Sequence, residues 1–187
     1  MSEERTAATT RQILLGLNYL HFRGITHRDI KGANVLVCRD GAVKLADFGA
    51  SKRLGHESLL SGLKGTPHWM APEVIRGQQT ARGWFKADVW SVGCTVVEML
   101  TGEMPWPDIP NPMAAMYRIA NGEAPPLERI GAGSGDGKGG SGGNGGGGSG
   151  GGSSGVSAAA RAFIAACCAA DPRCRQSVKQ LLAHPFL

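Results

Sequence analysis

The chain has 187 residues, with 20 Lys and Arg against 15 Asp and Glu, a formal net charge of +5 and an isoelectric point near 9.1. The basic residues are scattered rather than bunched in a stripe, so the charge reads as a generic basic surface and makes no case for nucleic acid. Cysteines 38, 94, 167, 168 and 174 show neither metal-ligand spacing nor a secreted disulfide framework, no apolar run approaches a membrane span, and Met1-Ser2-Glu3-Glu4-Arg5 has no signal-peptide character, which leaves cytoplasm or nucleus as the default compartment.

Ile13, Leu14, Leu17 and Leu20 recur at helical spacing, and Gly24 supplies a stop, so an amphipathic helix is predicted to lead into His27-Arg28-Asp29-Ile30-Lys31-Gly32-Ala33-Asn34. Two apolar runs, 35–38 and 42–46, then flank Asp40-Gly41, the pair that a two-residue type I′ turn favours. In the hairpin this predicts, Arg39 faces Ala42 and Asn34 falls opposite Asp47, the first residue of Asp47-Phe48-Gly49. A carboxamide oxygen and a carboxylate then meet at the open end, hard ligands that suit Mg²⁺. Asp29 and Lys31 are delivered to the same edge, an acceptor for a hydroxyl proton beside a cation for a phosphoryl group.

Residues 50–73 are polar, Gly-bearing and without sustained periodicity, as expected of a mobile segment. Asp88 is placed to cap a helix through Val96, Val97, Met99 and Leu100 to Gly102, apolar on several sides and therefore expected to be the buried central post. Pro105-Trp106-Pro107 breaks the chain; short helices are predicted over 113–121, 158–170 and 177–184. Residues 131–155 are almost entirely Gly and Ser and cannot bury enough apolar area to offset their ordering entropy, which predicts a flexible insertion. Loop-closure entropy grows slowly with length, so the fold can carry it.

An Asp-Gly turn or an Asp-Phe-Gly tripeptide is, by itself, an ordinary loop feature. Their conjunction at this spacing, followed by Ala71-Pro72-Glu73, resembles the catalytic loop and metal motif of eukaryotic protein kinases. The resemblance continues through the segment 65–74, Asp88-Val89-Trp90-Ser91-Val92-Gly93 and Asp171-Pro172-Arg173-Cys174-Arg175. Lys31-Gly32-Ala33-Asn34 resembles the serine/threonine type, and Gly65-Thr66-Pro67-His68-Trp69-Met70-Ala71-Pro72-Glu73 is similar to the mitogen-activated protein kinase kinase kinases. This implies a mainly α fold with a small β-hairpin, the C-terminal lobe of a protein kinase without its amino-terminal lobe, spanning 1–187 as a partial domain. It also implies ATP and Mg²⁺ as cofactors and a protein substrate, for which a MAP kinase kinase is the candidate.

By the same resemblance, Asp29 orients the substrate hydroxyl and accepts its proton, Lys31 balances charge on the γ-phosphoryl group, and Asn34 and Asp47 hold Mg²⁺. Leu36, with Val35 and Val37, would lie beneath adenine, although ordinary strand core explains those three equally well. Thr66 would meet Asp29 and Lys31 and help select serine or threonine acceptors. Arg28 implies switching by phosphorylation of the activation segment, with Ser58 and Ser61 as candidate acceptors or simply solvated loop serines. His27 and Phe48 are structural members of the two motifs, Asp88 braces the backbone around His27 and Arg28, and Glu73 pairs with Arg175 in a buried ion pair. No Gly-rich phosphate loop, strand lysine or partner glutamate is found ahead of residue 10, so the chain alone is expected to be a poor enzyme. Two readings follow: the C-terminal lobe of a serine/threonine kinase, or a noncatalytic module that competes for a cascade partner.

Overall fold

The computed structural model describes residues 1–53, 65–78, 83–126 and 156–187. The first helix, α1 (Glu3–Phe22), starts well ahead of the Ile13 stripe. Thr6, Thr9 and Thr10 are buried with Ile13, Leu14 and Leu17. They can be, because the Thr6 and Thr10 hydroxyls donate to carbonyls one turn back, at 2.9 and 2.7 Å. Gly24 ends the helix in the left-handed region at φ 72°, its N–H donating to the His21 carbonyl at 3.0 Å.

The chain then forms two separate two-stranded antiparallel ribbons rather than one hairpin. In the first, β1 (Ile25–Thr26) pairs with β4 (Lys52–Arg53), a contact too short for any sequence pattern to announce. In the second, β2 (Val35–Val37) pairs with β3 (Val43–Leu45) in the register Val35 to Leu45 and Val37 to Val43. This shifts the predicted register by one residue. Cys38, not Arg39, faces Ala42, donating to its carbonyl at 2.8 Å, and the loop is the three residues Arg39-Asp40-Gly41. A type I′ turn needs two left-handed residues; here only Gly41 is left-handed, at φ 82°, the arrangement of a three-residue hairpin loop. Asn34 therefore lies opposite Ala46, whose N–H reaches the Asn34 carbonyl at 2.9 Å, and Asp47 is one residue beyond.

Further along, α2 (Pro72–Ile75) follows a 3₁₀ turn at Pro67–Trp69, so the segment expected to be mobile throughout is structured at both ends, by β4 and by these turns. Ser58 and Ser61 lie outside the described residues, as does the Gly/Ser stretch 131–155. The core is built on α3 (Gly83–Thr101), buried without interruption from Ala87 to Val97. Asp88 is inside this helix, not at its N-cap, which frees its carboxylate for the backbone at His27 and Arg28.

Asn111 caps α4 (Pro112–Ala120), and Ser177 caps α6 (Val178–Leu181) in a reciprocal capping box with Gln180. Between them α5 (Ala158–Cys167) stops three residues short of the prediction, because the Ala169 and Ala170 carbonyls turn to accept from Arg175 at 2.7 and 3.3 Å. It packs on α3 across Gly93, where a Cβ would lie 2.5 Å from Cys168 Sγ and 2.7 Å from Cys167 Cβ. Among the described residues no helix is long and apolar enough to cross a membrane.

Candidate active site

Three elements converge on the segment 27–34. From α3, Asp88 accepts from the backbone N–H of His27 at 3.0 Å and of Arg28 at 2.8 Å, and its Oδ2 also meets His21 Nε2 at 2.8 Å. These bonds stabilise a backbone that turns through the left-handed region at Arg28, φ 72°, unusual for a residue with a side chain. His27 is fully buried. Its Nδ1 accepts from the Asp29 N–H at 3.4 Å while Nε2 faces the Ala46 carbonyl at 3.1 Å, tying the loop to the end of the hairpin.

Asp29 is the hub. Its Oδ1 accepts from the Thr66 hydroxyl at 2.8 Å; its Oδ2 accepts from Asn34 Nδ2 at 2.9 Å and pairs with Lys31 Nζ at 3.0 Å. Lys31 in turn donates to the Thr66 hydroxyl oxygen at 2.6 Å, closing a triangle between the segment 27–34 and the segment that begins at Gly65. Burial is the largest single influence on Asp29 and favours its protonated form. Bonds from Lys31 and Thr66, the Lys31 charge and the Asn34 bond together outweigh it and hold the carboxyl below its ordinary range. Thr66 can come this close because its neighbour is glycine: at φ 122°, a Cβ on Gly65 would lie 2.9 Å from the Arg28 carbonyl oxygen.

Asn34 is buried, and its amide nitrogen donates to both the carboxylate and the carbonyl of Asp29, at 2.9 and 2.8 Å. That fixes which way the carboxamide points and leaves its oxygen as the atom that could take a cation. Asp47 is exposed and left-handed, φ 58°, with one oxygen accepting from the Gly49 N–H at 3.1 Å and the other available. One amide oxygen and one carboxylate fit Mg²⁺, which takes few protein ligands and keeps waters and phosphates. They do not fit a metal that wants an all-protein cage, and among the described residues no cluster of three His, Cys, Asp or Glu could supply one.

Leu36 and Val37 are 52% and 57% exposed, so ordinary strand core does not explain them; Val35 alone of the three packs against the core. Phe48 is half exposed, its ring 5.1 Å from that of His27. Beside it a cavity of about 500 Å³ opens between α1 and the hairpin, lined by Leu15, Tyr19, Leu45 and Phe48 among others. Glu73 and Arg175 form a two-bond ion pair at 2.6 and 2.7 Å with both side chains buried.

The sequence reading missed Glu98. One carboxylate oxygen accepts from the Gly32 N–H at 2.9 Å and from Trp69 Nε1 at 3.1 Å, joining α3 to the segment 27–34 and to the segment before α2. A Cβ at Gly32 would lie 2.6 Å from Glu98 Oε1, so a larger residue there would displace this carboxylate. His21 on Asp88 was missed as well. The partners are 66 and 67 residues apart in the chain, and no local pattern points from one to the other.

The family model for the protein kinase domain matches residues 1–187, and this chain belongs to the protein kinase family. It is 42% identical over 183 residues to mitogen-activated protein kinase kinase kinase 2 of Arabidopsis thaliana, covering 95% of this chain and 24% of that protein. It is 41% identical over 187 residues to mitogen-activated protein kinase kinase kinase A of Dictyostelium discoideum, covering 17% of that protein. It is also 42% identical over 178 residues to cytokinesis protein sepH of Aspergillus niger, covering 94% of this chain and 11% of sepH. The chain thus spans about a quarter or less of these relatives.

Proposed function

We propose that this chain carries the substrate-and-metal half of a serine/threonine protein kinase, a C-terminal lobe that acts on a protein substrate in a MAP kinase cascade. The observation that carries the reading is the closed cluster of Asp29, Lys31, Asn34 and Thr66. Asp29, held ionised, accepts a hydrogen bond from an incoming serine or threonine hydroxyl and so points the oxygen at the group to be transferred. Lys31 spans Asp29 and Thr66 and brings its ammonium to the position where negative charge develops. Asn34 and Asp47 would hold Mg²⁺ through oxygens that make no other bond, and exposed Leu36 would offer an apolar surface to the adenine. When bound, ATP and Mg²⁺ supply the phosphoryl group and the charge that offsets its oxygens.

The place in a MAP kinase cascade rests on the names of two relatives, the kinase kinase kinases of Arabidopsis thaliana and Dictyostelium discoideum. The exposed apolar residues of α1 and the hairpin favour a lobe that works when covered. We therefore expect the 187-residue chain with Mg²⁺ and ATP to phosphorylate a MAP kinase kinase no faster than its Asp29→Asn variant. The chain extended by a Gly-rich loop and strand lysine is expected to turn over, and Asp29→Asn should cut that rate about 10²- to 10⁴-fold. Turnover by the short chain above its control would overturn the need for a covering lobe; an extended chain indifferent to Asp29→Asn would overturn the catalytic assignment.

A further inference from the structure

Asp88 lies on α3 with 1% of its surface exposed, and three nitrogens meet its carboxylate. Oδ1 accepts from the Arg28 N–H at 2.8 Å; Oδ2 accepts from the His27 N–H at 3.0 Å and meets His21 Nε2 at 2.8 Å. An aspartate carboxylate turns about its last side-chain bond at little cost, so its plane is set by the groups that donate to it. Two of these three belong to the backbone that Asp88 holds and cannot serve as its reference. His21 is the third, and it comes from α1.

The His21 ring is itself fixed. It sits in the last turn of α1 with its side chain 13% exposed, and its centroid lies 4.5 Å from that of Phe85, three residues before Asp88 on α3. A carboxylate that already accepts two backbone N–H bonds leaves the donor's role to Nε2. Ring and carboxylate thus bridge α1 to α3 from outside the segment 27–34.

What the bridge holds is strained. Arg28 is left-handed at φ 72° although it carries a side chain, a conformation that persists only where the surroundings over-determine it. Its guanidinium carbon lies 4.0 Å from the Trp84 ring centroid, so Asp88 grips the Arg28 backbone while the side chain packs elsewhere. Asp29 follows directly, and its carboxylate has to meet Thr66 at 2.8 Å, Asn34 at 2.9 Å and Lys31 at 3.0 Å. A turn of the Asp88 carboxylate that releases Arg28 carries Asp29 out of that set.

We infer that His21 is a positioning residue for phosphoryl transfer: its ring N–H locks the plane of the Asp88 carboxylate, which pins Arg28 and thereby aims Asp29. The inference rests on the reading of Asp29 as the group that orients the substrate hydroxyl, and adds the residue on α1 that keeps it aimed.

The test is NMR on the whole ¹³C,¹⁵N-labelled chain, where the one-bond Cα–Hα coupling of Arg28 reads the sign of φ and the carboxyl ¹³C titration of Asp29 reads its donors. His21→Phe keeps an aromatic ring beside Phe85 and removes the donor. The Arg28 coupling should move toward the range of negative φ, and Asp29 should titrate closer to its ordinary value. His21→Gln returns an N–H donor at similar reach and should restore both signals. In the chain extended by a Gly-rich loop and strand lysine, His21→Phe should lower kcat about ten- to a hundredfold with KM for ATP unchanged, and His21→Gln should recover most of it. If His21→Phe does not fold, His21→Leu takes its place. A lower thermal midpoint with both signals and kcat at their native values would show a merely structural residue and overturn the proposal. Equal losses in the Phe and Gln variants would refute the N–H donor as the cause. Failure of the underlying reading shows separately: an extended chain indifferent to Asp29→Asn would overturn the role of Asp29, and with it the service of His21 to the reaction, even where the two NMR signals respond.

Discussion

Asp29 takes hydrogen bonds from Lys31, Thr66 and Asn34, and each is lost or weakened when it is protonated. Its folded pKa is therefore below the unfolded one, near 3.9. Its contribution to stability is fully present above that unfolded value and is lost as pH falls through the lower folded one. Thr66→Val removes one of the stabilising donors and should raise the Asp29 pKa toward its ordinary value, measured by the pH titration of its carboxyl ¹³C shift; an unmoved value would show that the Thr66 hydroxyl does not act on Asp29. At this scale the sequence was legible where partners are close along the chain. Lys31 and Asn34 lie two and five residues from Asp29, so their convergence follows from one short loop. Thr66 is 37 residues away and was reached only through the family resemblance. Glu98 and Trp84 were reached by neither, because a helix apolar on several sides does not disclose which residue faces which loop.

Elements met the expectations where local signals were strong and departed where a tertiary contact intervened. The hairpin exists, but its register moved by one because Asp40 does not take the left-handed conformation that a type I′ turn demands of its first residue. Asp88 is a residue type that favours the N-cap, yet α3 begins five residues earlier and its carboxylate holds the backbone at His27 and Arg28. Gly93 looks like a weakness in a buried helix until α5 is placed against it. Gly93→Ala should destabilise the protein by about 1–3 kcal/mol through overpacking against Cys168 and Cys167, read as a lower thermal midpoint. Adding Cys168→Ala should restore part of the loss, as the Cys167 Cβ stays 2.7 Å away. No loss on Gly93→Ala would mean that α3 and α5 separate easily.

Across the whole molecule, the pair Glu73–Arg175 joins α2 to the segment before α6, and Arg175 also donates to the carbonyls of Lys86, Ala169 and Ala170. Glu73→Gln leaves a buried cation without its anion and should cost about 3–5 kcal/mol in urea unfolding, while Glu73→Met with Arg175→Met should cost less than the sum of the single changes. The thiols give a second global readout. Burial, and the neighbouring thiols, push the Cys94 pKa far up, and burial with Cys168 does the same for Cys167. A thiol reagent at pH 8 should therefore modify exposed Cys174 and half-buried Cys38 quickly and reach Cys94, Cys167 and Cys168 only on global unfolding; fast labelling of all five would show that the α3–α5 seam opens locally. The amino-acid sequence by itself determined the order of every helix but α2 and the family, because these depend on residue types at short spacing and on local caps. Only the tertiary structure decided the hairpin register, the second ribbon, the Glu98 and His21 anchors and the contact of Trp84 with Arg28. Each of those is a contact between groups far apart in the chain, chosen by packing around α3 rather than by any periodicity within an element.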